Sequence, residues 1–143
     1  MARILVVDDE PDSVELLEEF LTSKGYEVAT ASDGEEALRK VKEERPHLVL
    51  LDVRMPGMNG LDSLRQVMAL GGGQRVALIS GTASSDMASQ ALVLGAAGYL
   101  PKTLSARSLA NAVRFMAMGE QFVPLDFLRP AEEPLNPMAQ RLS

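Results

Sequence analysis

Four short apolar runs, each closed by a polar residue, constrain this chain more than anything else in it. Ile4–Val7 runs into Asp8 and Asp9, Leu48–Leu51 into Asp52, Val76–Ile79 into Ser80, and Ala97–Pro101 into Lys102. Continuous apolar runs of this length are the pattern of strands covered on both faces, as in a parallel sheet. Residues 26–31 are rich in β-formers and supply one strand more. Between the runs, apolar residues recur at helical spacing. The stripes are Val14, Leu16, Leu17, Phe20 and Leu21; Ala37, Leu38 and Val41; Leu61, Leu64, Val67 and Met68; Met87, Ala88, Ala91 and Leu92; and Leu109, Ala112, Val113 and Met116. Asp33, Ser105 and either Ser84 or Ser85 are placed to cap helices, Gly25, Gly95 and Gly119 to stop them, and Pro46 to force an earlier end. Alternating strands and helices predict an α/β chain with a doubly wound parallel sheet of five strands and five helices. Such sheets take ligands beyond the carboxyl ends of their strands, where the polar residues of all four runs lie.

Bulk properties set bounds on this. With 143 residues the chain is long enough for one domain and an ordinary core. No stretch is long and apolar enough to span a membrane, and the first residues lack the form of a signal peptide, so the cytosol is the expected location. Cysteine is absent, which excludes disulfides and thiolate metal sites. A net charge of −6 argues against this chain alone gripping nucleic acid. The charge is uneven: residues 1–62 carry 15 acids against 7 basic residues, and residues 63–143 carry 5 against 7. From Glu120 on, Pro124, Pro130, Pro134 and Pro137 exclude long regular elements. The expected division is therefore a domain over 1–118 and a linker or loosely docked extension over 119–143.

The strand ends suggest a chemistry. Asp8 and Asp9 repel each other unless a cation lies between them, and magnesium prefers hard oxygen ligands. Asp52 can serve as a third carboxylate or as a nucleophile toward phosphorus. Lys102 and Ser80 can bind the oxygens of a phosphoryl group, since catalysis of its transfer is mostly positioning and charge neutralisation. Each residue alone also has a plainer reading: a solvated acidic turn before a helix, or an Asp opening the turn at Pro56 and Gly57.

The combination is more specific. Ile4–Pro11, Leu50–Gly60, Leu78–Gly81 and Gly95–Lys102, with Asp33–Ala37 at a helix start, resemble the receiver domain of two-component response regulators over about residues 2–118. The resemblance implies the flavodoxin-like, CheY-like fold and a role as phosphoacceptor, not enzyme. It implies Asp52 as the phosphorylated residue and Asp8, Asp9, Asp52 and the Arg54 backbone carbonyl as ligands of Mg2+. It also implies Lys102 as the phosphate-binding lysine, Ser80 as the switch hydroxyl and Tyr99 as the switch aromatic. Tyr99 also reads as a half-buried strand residue with a wet hydroxyl. Arg54 and Thr82 occupy the positions that tune dephosphorylation.

One departure is local: Pro101 precedes Lys102 where family members usually have the proline after the lysine, so the Lys102–Thr103 bond is expected to be trans. Gly98–Thr103, Ala112–Arg114 and Gly119–Pro124 are similar to the NarL/LuxR-type subgroup, which implies transcriptional output through a DNA-binding helix-turn-helix domain that this chain does not include. The alternative is a stand-alone receiver acting through protein contacts. A sensor histidine kinase is the implied partner, and a homodimer through the helical faces is a further expectation. His47, the sole histidine, reads as a surface loop residue, and Gly71–Gly73 lacks the spacing and lysine of a phosphate loop. Met55 and Met58 flank the Asp52 loop and are expected to pack on it.

Overall fold

Strands and helices alternate as the periodicity requires: β1 Arg3–Val7, α1 Pro11–Ser23, β2 Glu27–Ala31, α2 Gly34–Glu44, β3 Leu48–Asp52, α3 Gly60–Ala69, β4 Arg75–Ser80, α4 Ser85–Val93, β5 Gly98–Pro101 and α5 Ala106–Ala117. The structure, a computed structural model, describes residues 2–55, 58–81 and 85–124, with the backbone alone at 54–55, 58–60 and 85. The segment expected as a loop between β3 and α3 contains a short antiparallel pairing of Arg54–Met55 with Met58–Asn59.

The sheet has the order β2-β1-β3-β4-β5, and every pairing is parallel. Its order reverses between β1 and β3, which fixes where a ligand crevice opens. Val7 pairs with Leu51, Asp52 with Ile79, and Ser80 with Pro101. The carboxyl ends of β1, β3, β4 and β5 are therefore level, and the residues that close the four runs meet at one edge.

The runs are continuous because both sheet faces are covered. Leu5, Val7, Val49, Leu51 and Leu78 pack with Ala37, Val41, Leu64, Val67, Ala88 and Ala91. On the opposite face Ile4, Val6, Leu48, Leu50 and Ala77 pack with Leu21, Ala112, Val113 and Met116. Helices α2, α3 and α4 thus cover one face, and α1 and α5 the other.

Helix ends follow the sequence signals. Asp33 Oδ1 accepts the Glu36 N–H at 2.8 Å, and Glu36 reaches back to accept the Ser32 N–H at 2.8 Å. Ser105 Oγ accepts the Ser108 N–H at 3.1 Å. Helix α2 ends in left-handed Arg45 at φ 51, before Pro46. Helix α1 has no side-chain cap and opens on Pro11, whose missing N–H would have been an orphan there in any case. Ser84 lies outside the described residues. Two stripe residues depart: Leu16 is 68% exposed and Met68 37%.

The residues after α5 turn back onto the sheet. Phe122 forms a parallel bridge with Gly98. Its N–H donates to Ala97 O at 2.9 Å, and the Tyr99 N–H donates to Phe122 O at 3.1 Å. Arg75 Nη1 donates to Glu120 O at 2.8 Å, and Gln121 Nε2 to Ala96 O at 3.1 Å. Phe122 packs on the α1–α5 side of the core and Val123 on the other. The first residues of the expected extension therefore lie along the outer edge of β5.

Candidate functional site

Each polar strand end inherits its position from a buried strand. Asp8 follows β1 and is 3% exposed, Asp52 ends β3 at 5%, and Ser80 ends β4 at 2%. Asp9 is exposed. One carboxylate oxygen from each of Asp8, Asp9 and Asp52 lies within 4.8 Å of the others. Lys102 reaches in from the turn after β5. Its Nζ lies 3.1 Å from Asp52 Oδ2 and 3.4 Å from Asp8 Oδ2. The Lys102 N–H donates to Ser80 O at 2.7 Å, which ties the lysine turn to the end of β4.

The site is electrostatically frustrated. Burial holds the Asp8 carboxyl above its ordinary range; the Glu10 N–H at 2.9 Å opposes that, but Asp52 adds to it through a hydrogen bond and its charge. Burial pulls the Lys102 ammonium down, but hydrogen bonding and charge from Asp52, then Asp8, outweigh it and raise the group above its usual value. Three carboxylates against one ammonium leave a formal charge of −2. All three acids offer hard oxygen donors, and a divalent cation of the magnesium type is the ion that such a set fits.

The raised Asp8 value has a consequence for stability. A carboxyl that holds its proton more tightly when folded contributes a penalty that grows as pH rises through the interval above its unfolded value. In buffer free of divalent ions, Asp8→Asn is expected to be more stable than the parent at neutral pH. The gap should close on acidification toward the ordinary carboxylate range, as followed by thermal unfolding across pH.

Other expected residues divide. Tyr99 is 1% exposed and belongs to the core layer of α2, α3 and α4, so the half-buried reading does not hold. His47 is exposed at the opposite end of the sheet, where its Nδ1 accepts the Arg3 N–H at 2.9 Å, away from the acids. Gly71–Gly73 form the turn before β4, with φ of 71, 96 and 80. No cis peptide occurs among the described residues, consistent with a trans bond after Lys102. Thr82 and the side chains of Arg54, Met55 and Met58 lie outside the described residues. Sequence reasoning gave Arg75 no role and did not foresee the contact of Gly98 with Phe122, which arises from a close approach across the β5 edge.

The match to known proteins follows this geometry. The model of the response regulator receiver domain matches residues 4–114. This chain belongs to that family. The receiver is 36% identical to the DNA-binding response regulator MtrA of Mycolicibacterium smegmatis over 143 residues, 99% of this chain and 61% of that protein. The chain thus spans about three fifths of the relative's length. A two-component response regulator of the LuxR family from Aurantimonas superposes with a TM-score of 0.84 at 30% identity, covering 90% of this chain and 94% of that one. The response regulator TrrA of Thermotoga maritima, solved with Mg2+ and BeF, gives a TM-score of 0.72 at 37% identity, covering 81% of this chain and 99% of that one. The receiver is accordingly a phosphoacceptor of two-component signalling rather than an enzyme in the ordinary sense. No described helix is long and apolar enough to cross a membrane.

Proposed function

We infer that Asp52 accepts the phosphoryl group. The observation that carries this is the Lys102 ammonium 3.1 Å from Asp52 Oδ2, at a buried strand end where Asp8 and Asp9 offer oxygens within 4.8 Å. An Asp52 carboxylate oxygen attacks the phosphorus of a phosphohistidine on a sensor histidine kinase. The O–P bond forms as the P–N bond breaks, and the electron pair leaves on the imidazole nitrogen. Lys102 holds one equatorial oxygen of the phosphoryl group, and the Ser80 hydroxyl donates to another. Asp8, Asp9, Asp52 and the backbone carbonyl of Arg54 would hold Mg2+, which would supply charge neutralisation to the phosphoryl group when bound. Arg54 and Thr82 set the access of water to the acyl phosphate. Drawing Ser80 inward shifts an existing equilibrium at the face of α4, β5 and α5, with Tyr99 as the side chain that follows it.

The output in this reading is transcription. The kinase acts in the cytosol, the receiver unit is residues 1–118, and residues 119–143 serve as a linker toward a DNA-binding domain. The MtrA relative, a DNA-binding response regulator longer than this chain, supports that output. The NarL/LuxR-type subgroup is supported by the Aurantimonas structure, while the MtrA name carries no mention of it. A stand-alone receiver acting through protein contacts is the second reading.

The test is phosphoryl incorporation. Incubated with a small acyl-phosphate donor and Mg2+, the chain should gain the mass of one phosphoryl group, and Asp52→Asn should gain none. Equal gain in that variant sinks the assignment. Mg2+ alone should raise the unfolding temperature in proportion to RT ln(1 + [Mg2+]/Kd), and Asp9→Ala should remove most of that rise.

A further inference from the structure

Strand β5 is the last of the sheet, and residues 119–123 lie along its outer edge. Gly119, at φ 102, turns the chain back after α5 in a left-handed conformation that glycine adopts without strain. The Phe122 N–H donates to Ala97 O at 2.9 Å and the Tyr99 N–H donates to Phe122 O at 3.1 Å, one bond on each side of Gly98. A Cβ at Gly98 would stand 2.6 Å from Phe122 O, so the approach is closer than a side chain there allows. Half-buried Phe122 and Val123 straddle the sheet, and Val123 packs on the apolar cluster that holds Tyr99. The inner edge of the same short strand leads to the acidic site. Tyr99 is level with Leu78 and Pro101 with Ser80, and the Lys102 N–H donates to Ser80 O at 2.7 Å. An edge strand needs cover against pairing with other chains, and contact anywhere along β5 would supply that. These bonds instead fall at Ala97 and at Tyr99, whose side chain is 1% exposed.

We propose that residues 119–123 are a strap that holds β5 with Tyr99 buried, so that its docking favours phosphoryl transfer to Asp52 and phosphorylation in turn tightens its docking. The proposal rests on the reading of Asp52 as the acceptor and of Tyr99 as the side chain that follows Ser80 inward. The docked strap and the phosphorylated site then select the same arrangement of β5, and coupling between two such events is reciprocal. The strap is held lightly enough to respond. Two main-chain hydrogen bonds to β5 and two half-buried side chains can open locally while the rest of the sheet stays folded. When the strap leaves, β5 loses both bonds on its outer edge, and the cluster around Tyr99 loses Val123. Both losses lower the cost of swinging the tyrosine outward, the arrangement that opposes phosphorylation.

Amide exchange on the full chain tests this, compared between Mg2+ alone and Mg2+ with a small acyl-phosphate donor, with phosphoryl occupancy weighed on the same samples. Phosphorylation should slow exchange at Phe122 and Tyr99 by about fivefold or more, the lower end of ordinary coupling between sites. Phe122→Ala with Val123→Ala, folded by circular dichroism, should take up the phosphoryl group about fivefold more slowly. Its affinity for Mg2+ should stay that of the parent, because β5 and β4 stand between the strap and Asp52. A full mass gain with exchange unchanged or faster at both amides overturns the strap and leaves Asp52 standing, whereas no mass gain overturns both. A variant phosphorylated as fast as the parent overturns the strap as well. So does a variant that loses Mg2+ affinity in step with phosphoryl uptake, since the damage to the site is then general.

Discussion

Replacing Lys102 by alanine is expected to move two measurements in opposite directions. Phosphoryl uptake from a small acyl-phosphate donor should fall by roughly 10- to 100-fold, the weight of one hydrogen bond to a charged group. Mg2+ binding to the unphosphorylated chain should tighten, as read by calorimetric titration. The reason for the second effect is the position of the ammonium. Lys102 is bonded to Asp52 at 3.1 Å and to Asp8 at 3.4 Å, and both carboxylates are almost fully buried. The lysine therefore acts as an internal counter-ion that a cation must compete with. Without it the three acids hold a formal −3 and attract a divalent ion more strongly. Lys102→Arg keeps the charge but not the compact ammonium, so it should restore the metal affinity of the parent more fully than its phosphoryl uptake. If alanine weakens both measurements together, Lys102 only props the fold.

The site was legible because its geometry is a consequence of burial. A parallel strand covered on both faces has to be apolar throughout, so the first polar residue marks its end. Asp8, Asp52, Ser80 and Lys102 each follow such a run, and the register sets those ends level. Caps were legible for the same local reason: Asp33 and Ser105 each sit three residues before the N–H they accept. Tyr99 was not, because a single aromatic on a four-residue strand reads equally well as a switch side chain or as a half-buried residue with a wet hydroxyl. The structure puts it at 1% exposure. Leu16 misled in the other direction. Its spacing fits the buried stripe of α1, yet Leu17, Phe20 and Leu21 suffice to cover the core and leave Leu16 outside.

The segment after α5 shows where local patterns end. Its prolines argue against regular structure, and that argument concerns long elements. Phe122 makes a single bridge, too short for any periodic signal, and what holds it is distributed over Arg75, Ala96, Ala97 and Tyr99. Those partners lie 23 or more positions away in the chain, from Phe122 to Tyr99 at the nearest, so only the folded sheet brings them together.

Gly98→Ala is expected to cost about 1–3 kcal/mol of stability, the usual range for forcing an extra carbon into a packed site. A Cβ at Gly98 would lie 2.6 Å from Phe122 O and 2.7 Å from Met116 Sδ. The thioether can swing aside, because methionine has several rotatable bonds. The carbonyl cannot, since the flanking Phe122 N–H and the Tyr99 N–H fix that peptide to both sides of Gly98. Relief therefore requires the whole 120–123 segment to leave the β5 edge. That gives the substitution a signature beyond a lower midpoint in thermal unfolding. Amide exchange should accelerate at Phe122 and Tyr99, whose bonds are the ones broken, and proteolysis should become easier after Gly119. In a chain ending at Met118 the blocking carbonyl is gone, and Gly98→Ala should cost little. A full cost in the shortened chain would place the strain against Met116 alone, and the segment along β5 would then bear no part of it.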